Sequence, residues 1–408
     1  MTVRASEGGH GARAIPRGVW VLGFVSLLMD TSSEMIHALL PLYMVTVLGT
    51  SILTVGGIEG IAEATGQITK MFSGALSDRL GNRKVLVALG YGLAACSKPI
   101  FPLASAVKFL IAARVIDRFG KGIRGAPRDA LVADLSPSHL RGASFGLRQS
   151  LDTVGAFLGP LIAIALMWVT ANHFSAVFWA AIVPASLSFG LVVVGVQEPE
   201  RRKETRPVGN PLNLGELGRL GSTCSEVIAV GALFTLARFS EAFLLLRAQS
   251  IGLPFVLVPM VLVVMNVAYT LSAYPVGAVS DRMDRVSLLI LGLFLLLVAD
   301  VVLALTSGIG GLATGVLLWG LHMGFTQGLF AALIADTAPP ELRGTAFGMF
   351  NLITGLALLL ANVIAGGFWG ALGPQGTFLA GAAFTVLTLV GLLPVRRRLR
   401  ESSLAARA

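Results

Sequence analysis

Charge is scarce in this chain. Only 13% of its 408 residues are Asp, Glu, Lys or Arg, about half the share of an ordinary soluble domain. With 55% hydrophobic residues and a mean hydropathy of +0.80, a water-soluble globule of this length is excluded. Cysteine is scarcer still. Cys96 and Cys224 have no CxxC spacing and fall in or beside apolar stretches, so they read as buried thiols packing as small apolar groups. There is no Gly-Lys-Ser/Thr phosphate loop, which excludes a built-in ATP motor, and neither HExxH nor a Cys/His cluster, so no metal or organic cofactor is expected. Apart from one linker, the segments between apolar stretches are too short for a catalytic or ligand-binding domain. A membrane enzyme or receptor is therefore disfavoured, and no catalytic residue is assigned. The first apolar segment contains Asp30, Glu34 and His37 and lacks a small-residue cleavage site, so it reads as a retained helix rather than a signal peptide.

What the chain has is apolar length, repeated. Segments of roughly 20 residues, enough for a helix to cross hydrocarbon, are predicted at 18–42, 52–76, 85–104, 107–128, 139–168 and 174–196. A second set follows at 223–248, 255–279, 286–306, 309–334, 342–370 and 375–395. These are spans 1 to 12. The 48 glycines suit helices that approach closely through small residues. The expected fold is an all-α membrane protein, with twelve transmembrane helices in two pseudo-symmetric six-helix bundles. The bundles are 18–196 and 223–395, joined by a polar linker at 197–222 and flanked by tails at 1–17 and 396–408.

The two bundles repeat one another about 200 residues apart. Gly74-Ala75-Leu76-Ser77-Asp78-Arg79 returns as Gly277-Ala278-Val279-Ser280-Asp281-Arg282. Ala133-Asp134, Leu140-Arg141-Gly142 and Phe145-Gly146 return as Ala335-Asp336, Leu342-Arg343-Gly344 and Phe347-Gly348. A duplicated bundle of spanning helices is the architecture of a carrier that rocks one half against the other. The +9 charge could suggest nucleic acid, but the basic residues sit in short loops on one side, including Arg79, Arg83, Lys84, Arg141, Arg282, Arg285 and Arg343. The positive-inside rule then makes both termini and the linker cytoplasmic, with no nucleic-acid partner.

The run Gly74-x-Leu-Ser-Asp78-Arg79-Leu-Gly81-Asn-Arg83-Lys84 resembles the signature loop between helices 2 and 3 of the major facilitator superfamily. Its weaker echo spans Gly277 to Arg285. Arg114 resembles the membrane-embedded arginine of proton-coupled branches, although Asp117-Arg118 stands where those branches have Gln-Gly. Gly155-x-x-x-Gly159-Pro160 resembles the helix-packing motif of drug/proton antiporters, with Leu161, Ile162 and Ala163 replacing the later glycines. The resemblance implies a monomeric carrier of a small molecule in a bacterial inner membrane, with the proton as coupling ion. It also implies a cavity lined by spans 1, 4, 7 and 10, with spans 3, 6, 9 and 12 facing lipid. Gly74, Asp78, Arg79, Gly81, Arg83, Asp134, Arg141, Asp281, Arg282, Asp336 and Arg343 would be hinges and latches. Asp78 in particular would face the start of span 11, a charge–dipole contact of about 0.3–1 kcal/mol. Arg83 and Lys84 would serve as simple topology anchors.

Intramembrane charge normally faces a cavity or a partner, and here it is unevenly placed. Span 1 carries Asp30, Glu34 and His37 on one face, span 2 carries Glu59, Glu63 and Lys70, and span 4 carries Arg114, Asp117, Arg118 and Lys121. Spans 6 and 12 carry none, and spans 3 and 9 carry only Lys98 and Asp300. In the second half Glu241, His322 and Gln327 accompany Trp319, Phe325, Phe347, Phe350 and Asn351. The expected site is a cavity formed by Asp30, Glu34, His37, Glu63, Arg114, Asp117, Arg118, Lys121, Glu241, His322 and Gln327. Glu59, Lys70, Arg148 and Asp152 could instead be permanent ion pairs. An ion-rich first wall facing an aromatic second wall suggests an amphipathic organic cargo that is anionic or zwitterionic. Proton-coupled export, import or exchange of an organic anion, and carriage of a divalent metal by Asp30, Glu34 and His37 all remain open at this point.

Overall fold

The computed structural model describes residues 15–80, 82–137, 140–198, 220–280, 284–326, 329–339 and 342–405. Every regular element among them is helical. Among the described residues, nine stretches are long and apolar enough to cross a membrane. The longest, Thr345–Arg398, has 54 residues and holds spans 11 and 12. It is divided at Gly373, whose φ of 74° lies in the left-handed region that glycine tolerates, at the turn expected near 371–374. Span 2 (Ile52–Leu80) and span 4 (Val107–Leu135) have 29 residues each. They miss that set because of the charge they carry inward.

Several spans are interrupted, for different reasons. Span 1 is Arg17–His37 followed by Leu40–Thr46. Pro41 has no N–H for the His37 carbonyl, and its ring crowds that carbonyl, so the helix stops there. Pro102 acts likewise on Lys98 in span 3, which is Arg83–Ser97 then Ile100–Leu103. Span 7, expected as one helix over 223–248, is instead Ser222–Ala237 and Ala242–Ser250, parted by Arg238, Phe239, Ser240 and Glu241 with no proline. Irregular backbone at membrane depth is tolerated where it lines a cavity or finds protein partners. Here the Ser240 N–H donates to Asn362 Oδ1 of span 11 at 2.8 Å, and the Ser240 hydroxyl accepts from the Ala242 N–H at 3.2 Å. Span 12 continues as helix to Ala405, through residues expected as a tail.

The outer spans present bare apolar side chains, as a lipid-facing surface requires. Trp179, Val183, Leu187 and Val194 of span 6 and Leu379, Val386, Val390 and Leu393 of span 12 are all exposed. One large core runs through both halves, joining Leu39–Met44 of span 1 to Phe243–Ala248 of span 7 and extending in the second half to Leu220, Val286 and Val395. Tyr43, Phe174 and Phe255 continue it across the divide, with ring centroids 5.9 and 6.2 Å apart. Spans 2 and 11 meet backbone to backbone: a Cβ on Gly56 would lie 2.3 Å from Asn362 O, and one on Gly60 2.9 Å from Leu359 O. Toward the linker the first half has a separate core of its own around Leu22, Val25, Met29, Tyr91 and Leu131.

Gly155 and Gly159 let span 5 lie directly on span 1. A Cβ on Gly159 would fall 2.6 Å from Glu34 Cβ and 2.8 Å from Thr31 O, and one on Gly155 2.5 Å from Leu27 O. Gly146, on the same helix, has nothing within 4 Å of its Cβ position. Gly159→Leu should therefore cost about 1–3 kcal/mol or more through overpacking, while Gly146→Leu should be tolerated. Thermal unfolding of the two purified variants in detergent measures the difference; equal midpoints would contradict this packing.

Candidate substrate cavity

Between the halves lies a cavity of about 660 Å³. Span 1 gives it Glu34 and His37, span 2 gives Glu63, Gln67 and Lys70, and span 4 gives Arg118 and Lys121. From the other half come the whole 238–241 break of span 7, Asn266 of span 8, Phe330 of span 10, and Phe350 and Asn351 of span 11. Among the described residues, spans 3, 6, 9 and 12 contribute nothing to the lining. The wall is thus broader than the four spans expected, because spans 2, 5, 8 and 11 also reach it.

Glu34, His37, Glu63, Arg118, Lys121 and Glu241 stand on the cavity wall as expected from the sequence. Arg114, Asp117 and His322 do not, which corrects their reading as lining residues. Arg114 is buried behind the wall and pairs with Glu59, which has no exposure. Asp117 is equally buried and accepts from Lys98 Nζ at 2.8 Å, while the same ammonium donates to Ser33 Oγ at 3.0 Å. Those pairs fasten spans 1, 2, 3 and 4. Their geometry follows from cost: a charge taken from both water and lipid persists only beside an opposite one. His322 is fully buried, edge-on to Trp319 at 5.3 Å. Asp30 is absent from the lining and packs toward Gly155 of span 5. Gln327 lies outside the described residues. Asp30 does not join Glu34 and His37, and among the described residues no three His, Cys, Asp or Glu gather as metal ligands do.

On the wall itself, Arg118 Nη2 holds Glu63 Oε1 at 3.0 Å. His37 sits between two carboxylates, with Nδ1 3.4 Å from Glu34 Oε2 and Nε2 3.9 Å from Glu59 Oε2. Glu34 is 22% exposed and Glu59 is fully covered, so this row runs from the cavity surface to the buried Arg114. Lys70, Lys121 and Arg238 line the cavity with no described carboxylate within 4 Å. Glu241 likewise has no described cation within that distance. Phe234, Phe239, Phe330 and Phe350 line the same cavity as Arg238. Sequence reasoning missed this role for Arg238 and missed the anchoring role of Asn362. The signal was there: a polar run, Arg-Phe-Ser-Glu, in the middle of an apolar span.

Of the repeated loop residues, Gly74 approaches Ala126 of span 4, with Cβ atoms that would be 3.4 Å apart. The side chains of Asp78, Arg79 and Arg343, together with Gly81, Asp281 and Arg282, lie outside the described residues, and so does the expected Asp78 latch. Arg141 is exposed at the start of span 5. Arg83 corrects its reading as a simple anchor. It is buried and its Nη1 lies 2.8 Å from Asp134 Oδ2. The repeat places Arg285 against Asp336 in the same way. Both pairs tie one end of span 3 or 9 to span 4 or 10, within a half. Glu198, just past span 6, accepts from the N–H groups of Arg83 and Lys84 at 3.0 and 2.6 Å, an anion seated at a helix N-terminus.

Two repeated helical halves enclosing a polar cavity make this a multi-pass membrane transporter. The family model of the Major Facilitator Superfamily matches residues 22–261 and 227–408. The uncharacterized MFS-type transporter MJ1317 of Methanocaldococcus jannaschii is 30% identical over 390 residues, which cover 93% of this chain and 95% of that one. The multidrug resistance protein MdtH of Photorhabdus laumondii is 27% identical over 357 residues, 86% of each chain. The solved nucleoside transporter NupG shares the fold with a TM-score of 0.77 at 13% identity, over 92% of this chain and 99% of its own. The chain belongs to the major facilitator superfamily.

Proposed function

We propose that this transporter exports an amphipathic organic molecule bearing an anionic group, in exchange for protons. The observation that carries the reading is the trio Lys70, Lys121 and Arg238, which present cations to the cavity with no described carboxylate within 4 Å of any of them. An anion between Lys121 of the first half and Arg238 of the second relieves their repulsion and favours closure of the halves around it. A cargo moves a conformational equilibrium only through such differential contacts. The phenylalanines lining the same cavity suit the apolar body of the same molecule. Glu34 and His37, in contact and at the cavity surface, are the proposed proton carriers of the first half. The likeness to MdtH and the Gly155–Pro160 motif support the outward direction. Import or exchange of the same class of anion is the second reading, favoured by the same cations.

Reversing the pH gradient across proteoliposomes separates the two readings. Export coupled to protons predicts accumulation only when the cargo-receiving compartment is the more acidic one. Glu34→Gln should abolish gradient-driven accumulation yet retain cargo exchange without a gradient. Unaltered gradient-driven flux would remove Glu34 from the mechanism.

A further inference from the structure

Asp300 is the acid that the cavity does not use. It is fully buried in span 9, and neither carboxyl oxygen has a hydrogen-bond partner. The surrounding groups offer it no countercharge. On the neighbouring span 10, the Trp319 Nε1 and both His322 ring nitrogens are also buried without partners. From span 12 comes Gly381, where a Cβ would stand 2.8 Å from Asp300 Oδ2, and one turn on Thr385 donates its hydroxyl to the Gly381 carbonyl at 3.0 Å. From span 7 comes Phe239, whose ring edge would be 2.9 Å from that same Cβ. The other titratable groups of span 7 are engaged elsewhere or face the cavity: Arg247 donates to the carbonyls of Leu303 and Thr306 at 3.0 and 2.5 Å, while Arg238 and Glu241 line the cavity.

An isolated carboxylate in such a place is prohibitively costly, whereas a neutral carboxylic acid is not. Gly381 is what makes room for the carboxyl, since any side chain there would collide with it. Phe239 links it to the cavity, since both Asp300 and Phe239 lie against the Cβ position of Gly381. Phe239 lines the cavity on one face, and its ring also packs on Trp319 and Phe378 at 5.3 and 5.6 Å. Phe239 stands in the break of span 7, between the helices Ser222–Ala237 and Ala242–Ser250.

We propose that Asp300 is a second proton-binding site, lodged in the second half and opened to the cavity when Phe239 and the break of span 7 move. This rests on the proton-coupled reading above and deepens it. The first half would exchange its proton through Glu34 and His37, the second through Asp300.

Infrared spectroscopy of the purified protein in lipid tests this without knowing the cargo. The wild type should show the carbonyl band of a protonated carboxylic acid in a dry site, absent in Asp300→Asn and retained in Glu34→Gln. The band should disappear reversibly as pH is raised over the range in which the protein stays folded. In heavy water, Phe239→Ala should speed its isotope shift at least several-fold. Asp300→Asn should fold as well as wild type, because it replaces a neutral acid by a neutral isostere; Asp300→Leu provides a second variant if it does not. A band that survives both substitutions would overturn the proposal, and so would one that never titrates or that Phe239→Ala leaves unchanged. If the band behaves as expected while gradient-driven transport proves independent of Glu34, the site at Asp300 stands and the coupling reading of the first half fails.

Discussion

Replacing Arg114 by leucine is expected to cost the fold about 3–5 kcal/mol, the penalty for leaving one member of a buried ion pair alone. Glu59, its partner, has no exposure, and the Glu59 Oε1 atom has no hydrogen bond even in the intact pair. His37 Nε2, 3.9 Å from Glu59 Oε2, would recover part of the loss if protonated. The single variant should therefore be more stable in acid than in neutral solution. Removing both charges, as Glu59→Leu with Arg114→Leu, should restore most of the stability, because replacing a buried pair with apolar groups is often neutral or favourable. Thermal unfolding of wild type, both single variants and the double variant gives the cycle. Additive losses would show that Arg114 acts alone, contrary to the geometry.

The second large effect is on binding. Charge reversal at Lys121 or Arg238, to glutamate, should weaken binding of an amphipathic anion by about 2–3 kcal/mol, roughly 30- to 150-fold in Kd. Thermal unfolding of each variant separates a binding loss from a folding loss, since Lys121 also acts electrostatically on Glu34 and Glu63. The two positions belong to different halves. If the anion bridges them, the double reversal should cost less than the sum of the singles, the signature of a shared partner. Tryptophan quenching by salicylate or taurocholate with the purified variants provides the reading. Unchanged affinity in both single variants would remove the cationic wall from recognition.

How much of this was legible in the sequence depended on whether a feature was local. Span positions and the repeat could be read because hydrophobic length and turn chemistry are local properties. The division at Gly373-Pro374 fell where a loop was expected. Interruptions of spans 1 and 3 are written in Pro41 and Pro102, although the breaks themselves were not drawn. The pairing of charges was not legible. Arg114 and Arg118 lie on one face of span 4 at helical spacing, yet one is buried against Glu59 and the other stands on the cavity wall with Glu63. That difference comes from the approach of span 2, a tertiary fact. Lys98 looked like an isolated charge on an outer span and turned out to complete Asp117. Span 7 read as continuous because its apolar count outweighed three polar residues, Arg238, Ser240 and Glu241, and the Ser240 N–H is met from another span, by Asn362.

Flux through proteoliposomes of the purified protein, measured against a panel of solutes, tests the central claim most directly. The panel should include salicylate and taurocholate as anions with apolar bodies, ethidium as an amphipathic cation, glucose as a neutral solute and manganese as a divalent metal. The cavity predicts saturable transport of the amphipathic anions, driven by a pH gradient and abolished by Arg238→Glu. Transport confined to glucose, ethidium or manganese, and indifferent to that substitution, would contradict it.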